Sequence, residues 1–165
     1  MNKDMYNPSI KLLLARILTI ADVGIYLEYL RKIEMILYNA NINVAEELSV
    51  ILPHDAKESF LNIVHGSGID TKDSQALHLL ILDIKNKIQA IPVMGLTLAY
   101  EPTEKDLRDF SSFLFTNIGM QVVFHIIRDE GILGGCKIEF AGRIADYTLK
   151  KELDRYSFGT QEGQM

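Results

Sequence analysis

The apolar residues of this chain change their spacing at Pro92, and that change limits the fold more than any other feature. Before Pro92 they recur three and four apart, the period of a helix with one face in a core. After it they alternate in short runs, the period of a strand. A helical part followed by a part built on a sheet is the expectation.

In the first part, Asn7-Pro8-Ser9 opens a helix, with proline early and the serine as its cap. Ile10, Leu13, Leu14, Ile17 and Leu18 follow at helical spacing. A second helix runs from about Asp22 to the neighbourhood of Asn39, with Val23, Leu27, Leu30, Ile33 and Leu37 on one stripe. A short third helix carries Val44, Leu48 and Ile51 and is stopped by Pro53. Asp55 and Glu58 have capping-box spacing and start a fourth, with Phe60, Leu61, Ile63 and Val64, that ends at Gly66-Ser67-Gly68. After Asp70-Thr71 a long stripe of Leu77, Leu80, Ile81, Ile84, Ile88 and Ile91 forms a last helix, closed by Pro92. Short connections between about five helices suit packed antiparallel neighbours.

The second part starts with a strand over residues 93–100. Pro102-Thr103 with Asp106 begins a helix lined by Leu107, Phe110 and Leu114, and Gly119 stops it. Residues 121–128 alternate Val122, Phe124 and Ile126 with Val123, His125 and Ile127, so both faces are apolar and an inner strand is expected. Cys136, Ile138 and Phe140 alternate with Lys137 and Glu139, Gly142-Arg143 turns the chain, and Ile144-Ala145 resumes extended structure. Asp146 and Thr148 are placed to cap a final helix bearing Leu149, Leu153 and Tyr156. The fold class is therefore α+β. An N-terminal antiparallel helical bundle (residues 1–91) precedes a small mixed-sheet α/β domain (residues 92–165) whose tail, from Ser157 onward, is polar and frayed.

The composition excludes several function classes. Apolar residues make up 48% and charged residues 24%, the mix of a soluble globular chain. A net charge of −5 with no dense Lys/Arg cluster excludes a nucleic-acid partner. Cys136 is the sole cysteine, so neither an internal disulfide nor a cysteine zinc site can form. The most apolar early stretch is broken by Lys11, Arg16 and Asp22, against the ~20 nearly uncharged residues of a membrane span. The first residues also lack the pattern of a signal peptide.

Chemistry is sparse. His54, His65, His78 and His125 have no metal-ligand spacing, and His125, mid-strand among apolar residues, reads as a satisfied core histidine. Residues 131–137 superficially resemble a phosphate loop. They fail its spacing, and a strand rather than a helix follows. Cys136 reads as a small buried hydrophobe. No catalytic residue, metal ligand or cofactor is expected.

What does stand out is an ordered set of pieces in the second part. Asp129-Glu-Gly-Ile-Leu-Gly-Gly135 resembles the Asp-x-x-Leu-Ile-Gly-Gly pattern of the delta subunit of F-type ATP synthases. An alternating strand follows, then Ile144-Ala145-Asp146-Tyr147-Thr148, similar to that family's Val-Ile-Asp-x-Ser, and Leu153 matches a leucine of its last helix. Upstream, Ala99 and Pro102-Thr103 resemble the segment opening the preceding helix. Around residues 6–15 no copy of the family's Tyr-Ala-x-Ala-Leu opening is found, and the connection at Pro92 is shorter than is usual there.

The resemblance implies a non-catalytic stator protein. Its helical domain would cap the catalytic head by gripping alpha subunits, and its α/β domain would meet the b subunits of the peripheral stalk, in support of proton-coupled ATP synthesis. It would sit peripherally on the cytoplasmic face of the bacterial inner membrane and reach the membrane only through the complex. Asp129, Leu133, Gly134, Gly135, Asp146, Thr148 and Leu153 would be scaffold residues, and a side chain at Gly135 would disrupt the C-terminal fold and with it stalk binding. The alternative from the residues alone is an unrelated α+β regulatory or ligand-binding module.

Overall fold

The computed structural model describes residues 7–37 and 44–158; the end expected for the second helix near Asn39 falls outside them. The elements are α1 (Pro8–Leu14), α2 (Ile20–Leu37), α3 (Val44–Ile51), α4 (His54–Gly66), α5 (Ser74–Gln89), β1 (Val93–Leu98), α6 (Glu104–Ile118), β2 (Val123–Arg128), β3 (Cys136–Phe140), β4 (Arg143–Asp146) and α7 (Leu149–Phe158). The fold is α+β, as the change of period implies. Contacts divide the chain into two compact units. One holds Met1–Ile17 and Ala21–Ile91, the other Leu18–Ile20 and Pro92–Met165.

In the helical unit the stripes of the sequence become the core. Ile33, Leu48, Ile63, Val64, Leu77, Ile81, Ile84 and Ile88 are essentially without solvent exposure. Asn7, not Ser9, caps α1: its Oδ1 accepts the Ser9 amide at 2.9 Å. Its Nδ2 donates to the Ile63 carbonyl at 2.9 Å and to Ser67 Oγ at 2.8 Å, so one side chain both starts α1 and ties it to the end of α4. Asp55 and Glu58 form no capping box, because α4 starts at His54 behind Pro53 and has no side-chain cap. Asp73, by contrast, caps α5 through the Ala76 amide. A half-buried ion pair between Lys85 and Glu34 joins α5 to α2.

Helix α1 is shorter than its apolar spacing predicts. It ends at Leu14, and its last turn tightens: the Arg16 amide reaches Leu13 O at 3.1 Å and the Ile17 amide reaches Leu14 O at 3.0 Å. Three-residue spacing of this kind peels a chain out of a helix. No proline or glycine marks the place. Leu18 leaves the helical period to enter the core of the other unit.

That unit is a mixed sheet in the order β2-β1-β3-β4, with α6 crossing between the parallel pair β1 and β2 and with β3 and β4 antiparallel. Helix α6 begins with the expected Thr103–Asp106 capping box and stops at Gly119 in the left-handed conformation. Its Leu107, Phe110 and Leu114 pack on Met94, Leu96 and Phe124. The opposite face of the sheet presents Val93, His125, Ile127 and Ile144 to solvent. Strand β2 is thus not an inner strand. It ends the order, although Thr19 forms a parallel bridge to Phe124 on its outer edge. His125 is exposed rather than a core residue, because it lies on the open face beside Gly95.

Strands β3 and β4 are joined by the two residues Ala141 and Gly142, both at positive φ (49° and 74°), between the paired Phe140 and Arg143. This is a type I′ hairpin, which matches the strand twist but favours Asn-Gly. Alanine in the left-handed region costs about 1 kcal/mol, and asparagine less. Ala141→Asn is expected to raise stability by about 0.5–1 kcal/mol in urea unfolding; an unchanged or lower midpoint would contradict the turn assignment.

Candidate functional site

The loop from β2 to β3 is built by local hydrogen bonds. The Asp129 amide donates to Leu98 O at 2.8 Å, continuing the β1–β2 pairing. Its Oδ1 accepts the Gly131 amide at 2.9 Å, and its carbonyl accepts the Ile132 amide at 3.2 Å. An aspartate that folds the chain back on its own backbone in this way is a standard turn former. Ile132 is then buried and anchors the loop, whereas Leu133 is 79% exposed.

Gly134 and Gly135 meet the turn between β4 and α7. The Leu149 amide donates to Gly134 O at 3.0 Å and the Tyr147 amide to Cys136 O at 2.8 Å. Gly135 has φ +80°, and a Cβ there would stand 2.1 Å from the Tyr147 carbonyl oxygen. Only glycine satisfies both the angle and the approach. At Gly134 a Cβ would meet the Leu149 side chain, Cδ1 at 2.6 Å and Cγ at 3.3 Å, which is exposed and movable. The two glycines, equivalent in the sequence, therefore have unequal roles.

Thr148 is buried, and both its Oγ1 (2.7 Å) and its amide (2.9 Å) donate to Asp146 Oδ1. The expected cap is modified: Asp146 holds the residue before α7 rather than the first free amides of that helix, and Gly134 O takes the amide of Leu149. The Thr148 hydrogen bonds, helped by Lys137 and Lys151, hold the Asp146 carboxyl below the usual range. Gly134, Gly135, Asp146 and Thr148 thus form one latch that joins the β2–β3 loop, folded by Asp129, to the start of α7.

The latch fixes where α7 begins, and α7 presents an apolar stripe. Leu149, Leu153 and Tyr156, at i, i+4 and i+7, are 54%, 60% and 76% exposed. Leu133 and Tyr147, on the two arms of the latch, are also exposed. The spacing of Leu149, Leu153 and Tyr156 predicts a helical stripe; their exposure is set by the tertiary structure. An uncovered apolar helix face with charged flanks is suited to receiving another apolar surface.

Other features offer less. All four histidines are exposed. Cys136 is half-buried, and burial followed by the nearby Asp146 pushes its thiol up, away from the reactive thiolate. In the helical unit an apolar hollow is lined by Leu13, Tyr26, Tyr29, Leu30, Phe60 and Ile84, and burial raises the Tyr26 phenol. Among the described residues no group of three or more His, Cys, Asp or Glu could hold a metal, and no helix is long and apolar enough to cross a membrane.

Residues 74–158, from the start of α5 to the end of α7, match the family model described as ATP synthase delta (OSCP) subunit. The chain belongs to this family. It is 27% identical over 113 residues to ATP synthase subunit delta of Thermosipho africanus (strain TCF52B), a stretch covering 67% of this chain and 60% of that protein. It is 23% identical over 120 residues to ATP synthase subunit delta of Syntrophomonas wolfei subsp. wolfei (strain DSM 2245B / Goettingen), covering 64% of this chain and 66% of that protein. The aligned stretch thus spans less than two-thirds of either relative's length. Delta-family membership sets aside the alternative of an unrelated module. The matched region contains the whole latch and the stripe of α7.

Two outcomes follow from the latch. Gly135→Ala should cost about 3 kcal/mol or more, since backbone must move, while Gly134→Ala should cost under about 1 kcal/mol because Leu149 can turn aside; equal losses in chemical denaturation would refute the distinction. The depressed Asp146 carboxyl contributes stability that is complete above the ordinary carboxyl pKa of about 3.9 and is lost as pH falls through its lower folded value. The stability difference between wild type and Asp146→Asn should accordingly hold level from neutral pH downward and shrink below about pH 4. A difference that does not change with acidification would remove Asp146 from that role.

Proposed function

We propose that this chain is a non-catalytic stator subunit of an F-type ATP synthase, part of the peripheral stalk that supports proton-coupled ATP synthesis. In this reading residues 1–91 and 92–165 act as two domains. The helical domain engages alpha subunits of the catalytic head, and the α/β domain engages the b subunits. The protein is peripheral, at the cytoplasmic face of a bacterial inner membrane, and is held there by its partners.

The observation that carries the reading is the exposed stripe Leu149, Leu153 and Tyr156 on a helix whose start the latch sets, within the region that matches the delta family. A stator transmits force by binding, so it needs a rigid support beneath an adhesive surface, not a pocket of convergent acids and bases. Asp129, Gly134, Gly135, Asp146 and Thr148 supply the support. Leu133 and Leu153 stand outside it as part of the surface. Burial of an apolar side chain at an interface core stabilises association by roughly 1.5–3 kcal/mol, the scale on which a few residues dominate binding.

The test is co-purification from cells containing the complete synthase. The tagged wild-type chain should recover alpha and b subunits. Leu149→Asp with Leu153→Asp should lose the b subunits and keep alpha, with little change in melting temperature because exposed positions contribute little to folding. Undiminished b recovery by that variant would overturn the assignment of the surface, and failure of the wild type to recover either subunit would overturn the stator role.

A further inference from the structure

Strand β2 ends the strand order, so its outer edge would ordinarily be a free row of amides and carbonyls. The Val123 amide donates to Pro92 O at 2.9 Å and the Asp129 amide to Leu98 O at 2.8 Å, so the odd-numbered amides of this run turn toward β1. The alternate amides, Phe124 and Ile126, turn outward. The Phe124 amide is nevertheless taken, at 2.7 Å, by the carbonyl of Leu18. Thr19 forms its parallel bridge to the same residue. The Leu18 side chain is 3% exposed and shares a core with Met94, Leu96, Leu107, Leu114, Val122 and Phe124. Its chain neighbours on either side, Ile17 and Ala21, belong to the helical unit, whereas Leu18–Ile20 belongs with the sheet.

We propose that Leu18–Ile20 is a detachable strap: the connection between α1 and α2, with the first residue of α2, laid on the outer edge of β2 through one isolated bridge from Thr19 to Phe124. The α/β unit then has two states, strap on and strap off. Six residue pairs hold β2 to β1, whereas a single bridge holds the strap to β2, so the strap opens before the sheet does. Opening frees the Phe124 amide, uncovers one side of the core and leaves β2 with an edge that can pair with an extended segment of another chain. A fragment starting at Pro92 lacks Leu18 and would be locked in the strap-off state. The device goes beyond the stator reading and does not depend on it.

Native-state amide hydrogen exchange on the full chain tests this at single residues. In the wild type the Phe124 amide should exchange at least roughly tenfold more slowly than that of Ile126, which lies on the same edge beyond the strap. At low denaturant Phe124 should also open with a weaker denaturant dependence than Val123, which is bonded to Pro92. Leu18→Ala should accelerate Phe124 by roughly tenfold or more relative to Val123. Equal exchange of Phe124 and Ile126 in the wild type would show that no strap is attached. Identical opening of Phe124 and Val123 at every denaturant concentration would show that the strap has no state of its own. Both wild-type outcomes decide the matter even if the variant fails to fold.

Discussion

Phe124 has no exposed surface because separate parts of the chain close on it. Helix α6 lays Phe110 over it, rings stacked at 5.5 Å and 16°. Strand β1 pairs it with Met94, and Leu18 takes its amide and joins its core. Truncating a phenylalanine in such a position typically costs 3–5 kcal/mol, a large share of a small domain's stability. The parallel pairing of β1 and β2, the seat of α6 and the position of Leu18 all depend on this one side chain. One residue of the sheet thus combines a ring stacked on a helix with backbone links to β1 and to Leu18.

The opposite end of the sheet is organised by backbone approach instead of bulk. Gly135 lets the Tyr147 carbonyl come closer than a Cβ would permit, and the Asp146–Thr148 pair holds the chain in that path. The result is a fixed start for α7 with its apolar stripe outward. The apolar face of most surface helices is consumed by their own core. In α7 the stripe Leu149, Leu153 and Tyr156 stays exposed, and the latch fixes where that helix begins.

Much of this was readable locally. Pro92, the Thr103–Asp106 box, Gly119 and the alternation of Cys136, Ile138 and Phe140 each act within a few residues, and each stands where its chemistry places it. The Asp55–Glu58 box fails locally, because α4 already starts at His54; two other differences turn on groups whose surroundings come from far off in sequence. Asn7 was passed over as the cap because its second task, bonding Ile63 and Ser67, depends on α4. His125 looked internal because its strand is apolar on both faces, but burial there depends on whether a second layer covers the face beside Gly95, and in this sheet none does for His125.

The sequence by itself determined the helix and strand periods and, for α6, both ends: the Thr103–Asp106 box and Gly119. These settle the α+β class and the order of the elements, because helix and strand periods and left-handed turns are consequences of backbone sterics within a few residues. Only the tertiary structure decided three things. Helix α1 stops at Leu14 although its apolar spacing continues unbroken, because Leu18 is worth more in the core around Phe124 than as one further helical turn. Gly135 is indispensable where Gly134 is not, because one faces a backbone carbonyl and the other a movable leucine. The stripe of α7 is a surface rather than a core, because a stripe's period states only which residues share a face, and what covers that face is set by the rest of the molecule and its partners.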